Sequence, residues 1–548
     1  MKIIVSGIIL IIIRFIFIFF SFYVLFLNKL FVYEWIIYNI NSIKINLIFI
    51  IRFKLLIFVF LVILISSFIL LYRIRYMNLN NKYLINRFYY LILIFLISII
   101  FLIFSPNILT LLLGWDGLGL ISYCLIIYYQ KLLSFNSGIL TIILNRLGDC
   151  RLLIIISFMV IFGRWNLILY KINLLILIIF FLIVFTKRAQ LIFIIWLPAA
   201  IIAPTPVSSL VHSSTLVTAG IYLLINYDII IDLKYKSFIL IISRMTILIS
   251  GIIANFEIDF KKIIALSTLR QLGFIIRIYS LGITDLTFLH LFIHAFFKSI
   301  MFICVGRLIH YINGIQNFRF YSGIFFLYPI KGLLIIFSLL ILCGFPFLVG
   351  FYSKDLIIEY YFLRVKRIFR IINLIFGTIF TVSYSFRSIY IMIMNNYKIN
   401  LINLNEDWII ARVISIILII ILILRKFIFN LFFYHLNINL IFIYKYFVFK
   451  IILLGLIFSI LILNTNFFKK RNIFIKRFFI IEFFYKFIVN QLINRIIYYE
   501  FYFEKGLLEK FLGKIIKYIY DILEINYIFK ITLLILLYLY LLILIILI

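Results

Sequence analysis

The sequence predicts an all-α polytopic membrane protein of about fifteen or sixteen transmembrane helices, and three observations carry that prediction. First, 67% of the 548 residues are hydrophobic and the mean hydropathy is +1.28, where a soluble domain is roughly 45–50% apolar. Second, apolar runs of about 18 or more residues recur throughout, each long enough to cross ~30 Å of hydrocarbon as a helix. Third, the ten-residue alternation of a transmembrane barrel is missing, and backbone amides in lipid must be satisfied within their own segment. One large bundle follows, not several soluble domains.

The opening run, "MKIIVSGIILIIIRFIFIFF", continues towards Phe26 without a small-residue cleavage site, so it reads as a first span over 3–27. Further spans are expected at 46–72, 84–104, 108–129, 138–162, 166–186, 188–200, 206–227, 236–254, 262–281, 286–310, 327–348, 351–362, 370–394, 409–432 and 440–465. The short pieces at 188–200 and 351–362 read as halves of broken helices. Pro198, Pro204 and Pro206 fall in "WLPAAIIAPTPVSSLVHSSTLVTAG", and Pro346 in "CGFPFLVGFYSKD". Each proline removes a helical donor, so both stretches interrupt a span. Paired interruptions point to an internal repeat and a transport route, although each alone is equally an ordinary kink.

After residue 466 charge and apolar residues mix at helical spacing. Leu507, Leu508, Phe511, Leu512 and Ile515 make one face against Glu509, Lys510 and Lys514, the pattern of an amphipathic helix lying in the membrane interface. A last span follows. The expected organisation is N-terminal helices over 1–104, a core over 105–365, C-terminal helices over 366–465, an amphipathic lateral region over 466–529 and an anchor over 530–548.

The four cysteines, Cys124, Cys150, Cys304 and Cys343, sit in apolar segments without a CxxC pair, which argues against a disulfide framework or an iron–sulfur site. The net charge of +34 is spread over loops and helix ends without an aromatic-interleaved module. It fits snorkelling and contact with anionic membrane lipid better than nucleic acid, and no nucleic-acid partner is expected.

Charges inside the apolar runs carry the functional signal, because one at mid-bilayer costs roughly 2.5–3.5 kcal/mol on insertion scales. Asp116 lies in "LLLGWDGLGLISYC", among glycines that let another helix approach. It is read as proton-handling, against a bracing role. Arg146 and Asp149, three apart in "NRLGD", share a helix face and suit a structural ion pair as well as a functional one. Lys187 in "FTKRAQ" stands just ahead of the first interruption, and an amine out of water exchanges its proton more readily. His290, His294 and Lys298 in "LHLFIHAFFKSI" recur every four residues, which makes one stripe about 12 Å long. Histidines at that spacing can hold a metal, but the third group is an ammonium and no acid is near, so a water-bridged relay is preferred and no metal is expected. Lys354 and Asp355 follow Pro346, and His212 adds an imidazole among hydroxyls. A membrane-embedded series of titratable groups is the signature of an ion-translocating protein.

"GWDGLGLISYCLI", "NRLGD", "TKRAQ…WLPAA…APTPVSSLVHSSTLVTAGIYLL", "KKIIALSTLRQLGF", "HLFIHAFFKSIMF" and "GFYSKDLIIE" together resemble the subunit-5 family of antiporter-like membrane subunits in mitochondrial NADH:ubiquinone oxidoreductase, respiratory complex I. The resemblance runs from about residue 105 to 390. It implies an antiporter-like fold with two inverted five-helix repeats, the first holding Asp116 and Lys187, the second Lys298 and Lys354. It further implies an Asp116–Lys187 pair, with His212, His290 and His294 as links toward Lys298, Lys354 as the terminal lysine, and Arg146, Asp149 and Asp355 in support. NADH, FMN, iron–sulfur clusters and ubiquinone would be bound by other subunits and none by this chain. Its partners would be the sister subunits of the complex and membrane lipid, in the mitochondrial inner membrane.

Two departures accompany the resemblance. Asp116 stands where many members carry glutamate, one methylene longer. Arg164, Arg188, Arg270, Arg277 and Arg307 stand where serine or another small residue is expected, while methionine numbers only seven and isoleucine abounds. That pattern matches a gene read with the wrong mitochondrial code, in which some arginine codons stand for serine and an isoleucine codon for methionine.

Two other readings compete. A subunit of an Mrp-type cation/proton antiporter shares these motifs but not the lateral segment after residue 466. A structural scaffold leaves the buried charges unexplained. Within complex I, the sister subunit 4 resembles this chain with glutamate at the terminal position, and Lys354 therefore favours subunit 5.

Overall fold

A computed structural model describes residues 2–394, except 28, 41–42, 77–81, 162–164, 168–173, 195, 313, 347 and 365–367, together with 415 and 447–464. The expected span at 409–432 (residue 415 apart), the amphipathic segment 466–529 and the anchor 530–548 therefore fall outside the described residues, as does Arg164.

The elements are α1 (Lys2–Leu27), strands β1 (Phe31–Ile40) and β2 (Ile43–Ile51), then α2 (Phe53–Tyr76), α3 (Lys82–Phe104), α4 (Ile108–Ile126), α5 (Leu132–Ile161) and α6 (Leu174–Lys187). Next come α7 (Trp196–Ala200), α8 (Thr205–Val207), a π-helical stretch (Ser208–Thr215) and α9 (Leu216–Asn226). The series continues with α10 (Leu233–Phe256), α11 (Phe260–Ser280), α12 (Thr284–Tyr311), α13 (Ile324–Leu327), α14 (Pro329–Cys343), α15 (Val349–Arg364), α16 (Ile368–Ile393) and α17 (Phe447–Asn464). Eight helices among the described residues are long and apolar enough to cross a membrane.

The all-α expectation needs one amendment. β1 and β2 pair antiparallel from Phe31↔Ile51 to Ile40↔Ile43, with an irregularity between Ile36 and Tyr38. The second span accordingly begins at Phe53, not at residue 46. Alternating β-branched and aromatic residues favour strands here, and open sheet edges are excluded from hydrocarbon, so the hairpin belongs at a water-facing end. Asn107, just before α4, ties it to the bundle by donating to the Asn46 carbonyl at 2.9 Å.

Burial sorts the helices. α11 is buried along its length except at Lys262, and α2, α9 and α12 nearly so, whereas α3, α4, α5 and α10 turn Ile94, Leu113, Leu120, Leu153 and Phe238 outward. A helix that is covered all round lies inside a bundle, and the apolar outward faces suit lipid. The polar residues of α11 and α12 are thus held at the centre, where α12 packs against α2, α11, α14 and α15.

Both expected interruptions are real. In the first, α6 stops at Lys187, Ala189 takes φ +52°, and Trp196 Nε1 caps the open end by donating to the Thr186 carbonyl at 2.9 Å. Pro204 then precedes the restart, which passes through the π-helical stretch carrying His212. In the second, Gly344 ends α14 in the left-handed region (φ +80°), donating to the Ile341 carbonyl at 3.1 Å, and α15 restarts at Val349. Gly344 is needed there, because a Cβ would lie 2.9 Å from Lys354 Cδ in an already strained conformation.

Candidate proton-handling site

Two clusters carry the charges, one at each interruption. In the first, α4 supplies Trp115 and Asp116, α5 supplies Arg146 and Asp149, and α6 supplies Lys187. Arg146 lies between the acids, its Nη1 3.8 Å from Asp116 Oδ2 and 3.6 Å from Asp149 Oδ2. The Asp149 side chain is buried, while that of Asp116 is about a third exposed at 31%. Lys187 is buried; its Nζ lies 4.9 Å from the centroid of the Trp115 ring and 3.5 Å from the Trp115 carbonyl.

The direct Asp116–Lys187 pair is therefore not formed. Trp115 takes the ammonium by its ring face and Arg146 takes the carboxylate, while Lys187 stays within electrostatic reach of both acids. Two carboxylates and two cations make a nearly neutral group, in which a small movement of Arg146 changes what Lys187 feels. Gly148 allows this approach, because a Cβ there would lie 2.6 Å from Thr186 Oγ1.

The second cluster is built on α12. His290 is buried and bridges two neighbours, with Nδ1 3.1 Å from Ser353 Oγ on α15 and Nε2 3.5 Å from Gln271 Oε1 on α11. One turn further, both ring nitrogens of His294 are buried with no hydrogen-bond partner. Another turn on, Lys298 is fully buried and donates to Ser267 Oγ. Lys354 reaches back across the second interruption to donate to the Leu342 carbonyl, at the electronegative end of α14. Both lysines have neutral partners, so neither proton is locked by a carboxylate. Asp355 sits half-buried on α15. The side chain of His212 lies outside the described residues.

Trp115, Ser267, Gln271 and Ser353 complete the site and were not singled out from the sequence. A signal was present for two of them. Ser267 and Gln271 are four apart on α11, the same spacing as the stripe they face on α12.

Residues 105–381 match the model of the NADH:quinone oxidoreductase/Mrp antiporter transmembrane family. The chain belongs to that family. It is 58% identical over 306 residues to NADH-ubiquinone oxidoreductase chain 5 of Apis mellifera ligustica, covering 56% of this chain and 55% of that one. It is 45% identical over 382 residues to the protein of the same name from Aedes aegypti, covering 68% and 66%. The match thus spans about half to two thirds of these relatives' length. In fold it resembles a solved Mrp complex from Dietzia sp., with a TM-score of 0.73 over 86% of this chain and 55% of that one at 19% identity. The polytopic antiporter-like fold expected from the sequence is thereby established.

The arginine departures take on physical weight in this fold. Arg188 and Arg270 are buried at 0% and 1% exposure, and each leaves Nε and Nη1 without a hydrogen-bond partner. Arg188 meets a carbonyl, that of Gly220, and Arg270 lies 5.7 Å from the Tyr384 ring; neither meets a carboxylate among the described residues. A guanidinium desolvated without a counter-ion is costly, whereas serine fits the same space and bonds its own helix. Peptide mass spectrometry of the mature protein is expected to find serine at positions 188 and 270; arginine at both would overturn the misread-code explanation.

Proposed function

We propose that this chain is an antiporter-like membrane subunit of NADH:ubiquinone oxidoreductase, which moves protons across the mitochondrial inner membrane while redox chemistry proceeds in other subunits. The observation that carries the proposal is His290, whose two ring nitrogens join α11 to α15 between the Lys298 and Lys354 positions. Imidazole accepts a proton at one nitrogen while releasing one from the other, which suits a bridging position in a relay. His294 has no protein partner for either nitrogen, and water would link it to His290 and Lys298, each one helical turn away. The relay then runs from Asp116, Arg146, Asp149 and Lys187 at the first interruption, by way of His212, to Lys298, His294 and His290, and on to Lys354.

Membership in complex I rests on curated relatives, eight of which are named NADH-ubiquinone oxidoreductase chain 5 at 41–58% identity. The Mrp-type antiporter remains the second reading, favoured by the fold match to an Mrp complex. Purification of the tagged chain in mild detergent separates the two. Co-purification with NADH-oxidising, quinone-reducing subunits is expected; companion chains that exchange sodium for protons without redox activity would support the antiporter.

A further inference from the structure

Outside this relay, one further group of titratable side chains is clustered where three helices end together. Asp228 lies in the short turn after α9, Lys236 in the first turn of α10 and Tyr279 in the last turn of α11. Lys236 Nζ is 2.6 Å from Asp228 Oδ1 and 5.3 Å from the centroid of the Tyr279 ring. The Tyr279 hydroxyl sits beside the Asp228 carboxylate without closing a well-aligned hydrogen bond. Lys236 and Tyr279 are buried, whereas the Asp228 side chain keeps 26% of its surface open. The acid is thus the surface-facing member and the phenol the inward one.

Two of the three helices lead back to groups of the relay. α9 continues from the π-helical stretch that carries His212, and α11 carries Ser267 and Gln271, the partners of Lys298 and His290. A tyrosine between an exposed acid and the interior passes a proton without holding charge itself.

We propose that Asp228, Lys236 and Tyr279 form a water-facing proton port that serves the first interruption. This rests on the relay reading above. In uptake, an O–H bond of hydronium breaks and a carboxyl O–H forms on Asp228, loosening its pair with Lys236. The carboxyl O–H then breaks as the phenol oxygen of Tyr279 takes that proton, while the phenol's own O–H breaks and its proton passes to an inner water leading toward the first interruption; the carboxylate and its pair are restored. No other reactant is consumed, and release runs the same steps in reverse.

The test compares proton transport per NADH oxidised in membrane vesicles that hold the whole complex. The difference between the unmodified complex and Lys298→Ala defines this chain's share. Tyr279→Phe and Asp228→Asn are each expected to lower that share at least about tenfold, and Asp228→Glu to retain it. Tyr279→Phe decides if Asp228→Asn fails to assemble, because it removes one oxygen and leaves the ring beside Lys236. A full share in Tyr279→Phe overturns the port while the relay stands. No difference between Lys298→Ala and the unmodified complex would instead remove the relay itself.

Discussion

Lys298→Ala is expected to abolish the proton transport carried by this chain while leaving it inserted in the membrane. The ammonium is fully buried at the middle of the bundle, and its partner is the neutral Ser267 hydroxyl. Removing it does not orphan that hydroxyl, which still donates to the Ile264 carbonyl at 2.6 Å. Insertion of α12 should even become easier, since a lysine at a helix centre opposes insertion by roughly 2.5–3.5 kcal/mol. What is lost is the protonatable group in line with His294 and His290. Reconstituted complex bearing the substitution should therefore assemble and oxidise NADH but translocate fewer protons per NADH; unchanged transport would count against the relay.

Gly350→Ala should have the largest effect on stability. A Cβ there would lie 2.0 Å from the carbonyl oxygen of Ile341 and 2.9 Å from its carbonyl carbon. Both are backbone atoms, so no side chain can swing aside, and α15 must move away from α14. That movement strains the Gly344 cap, which uses the same Ile341 carbonyl, and separates Lys354 from Leu342. A loss of about 3 kcal/mol or more is expected, at or beyond the upper end of overpacking substitutions. Thermal unfolding in detergent measures it. Gly314→Ala is the control: its backbone is left-handed (φ +84°), unlike that of Gly350, but a Cβ there meets nothing within 4 Å, and it should lose only about 1 kcal/mol. Equal losses in the two variants would show that the close approach of α14 and α15 is not needed.

The contrast between the two clusters shows how far periodicity reaches. His290, His294 and Lys298 belong to one helix, so a constant 100° turn per residue was enough to align them. The first cluster draws on three helices, and there the expected Asp116–Lys187 pair gave way to Arg146 and Trp115. No spacing along the chain could show that, because it depends on how α4, α5 and α6 face one another. The hairpin was missed for a related reason. An apolar run of strand length joined to a helical run reads as one long span, and only pairing with β1 separates them.

The sequence by itself determined a helical membrane bundle, its two interruptions and the titratable residues placed within its apolar runs. Burial of apolar surface and the demand of lipid for satisfied amides leave few alternatives for such a composition. Tertiary structure alone decided which of those residues touch. Ser267, Gln271 and Ser353 reach Lys298 and His290 from 31, 19 and 63 positions away in the chain. Local hydrogen bonding and hydropathy act within a turn or a span, whereas a proton path across helices is set by side chains that meet only after the bundle has packed.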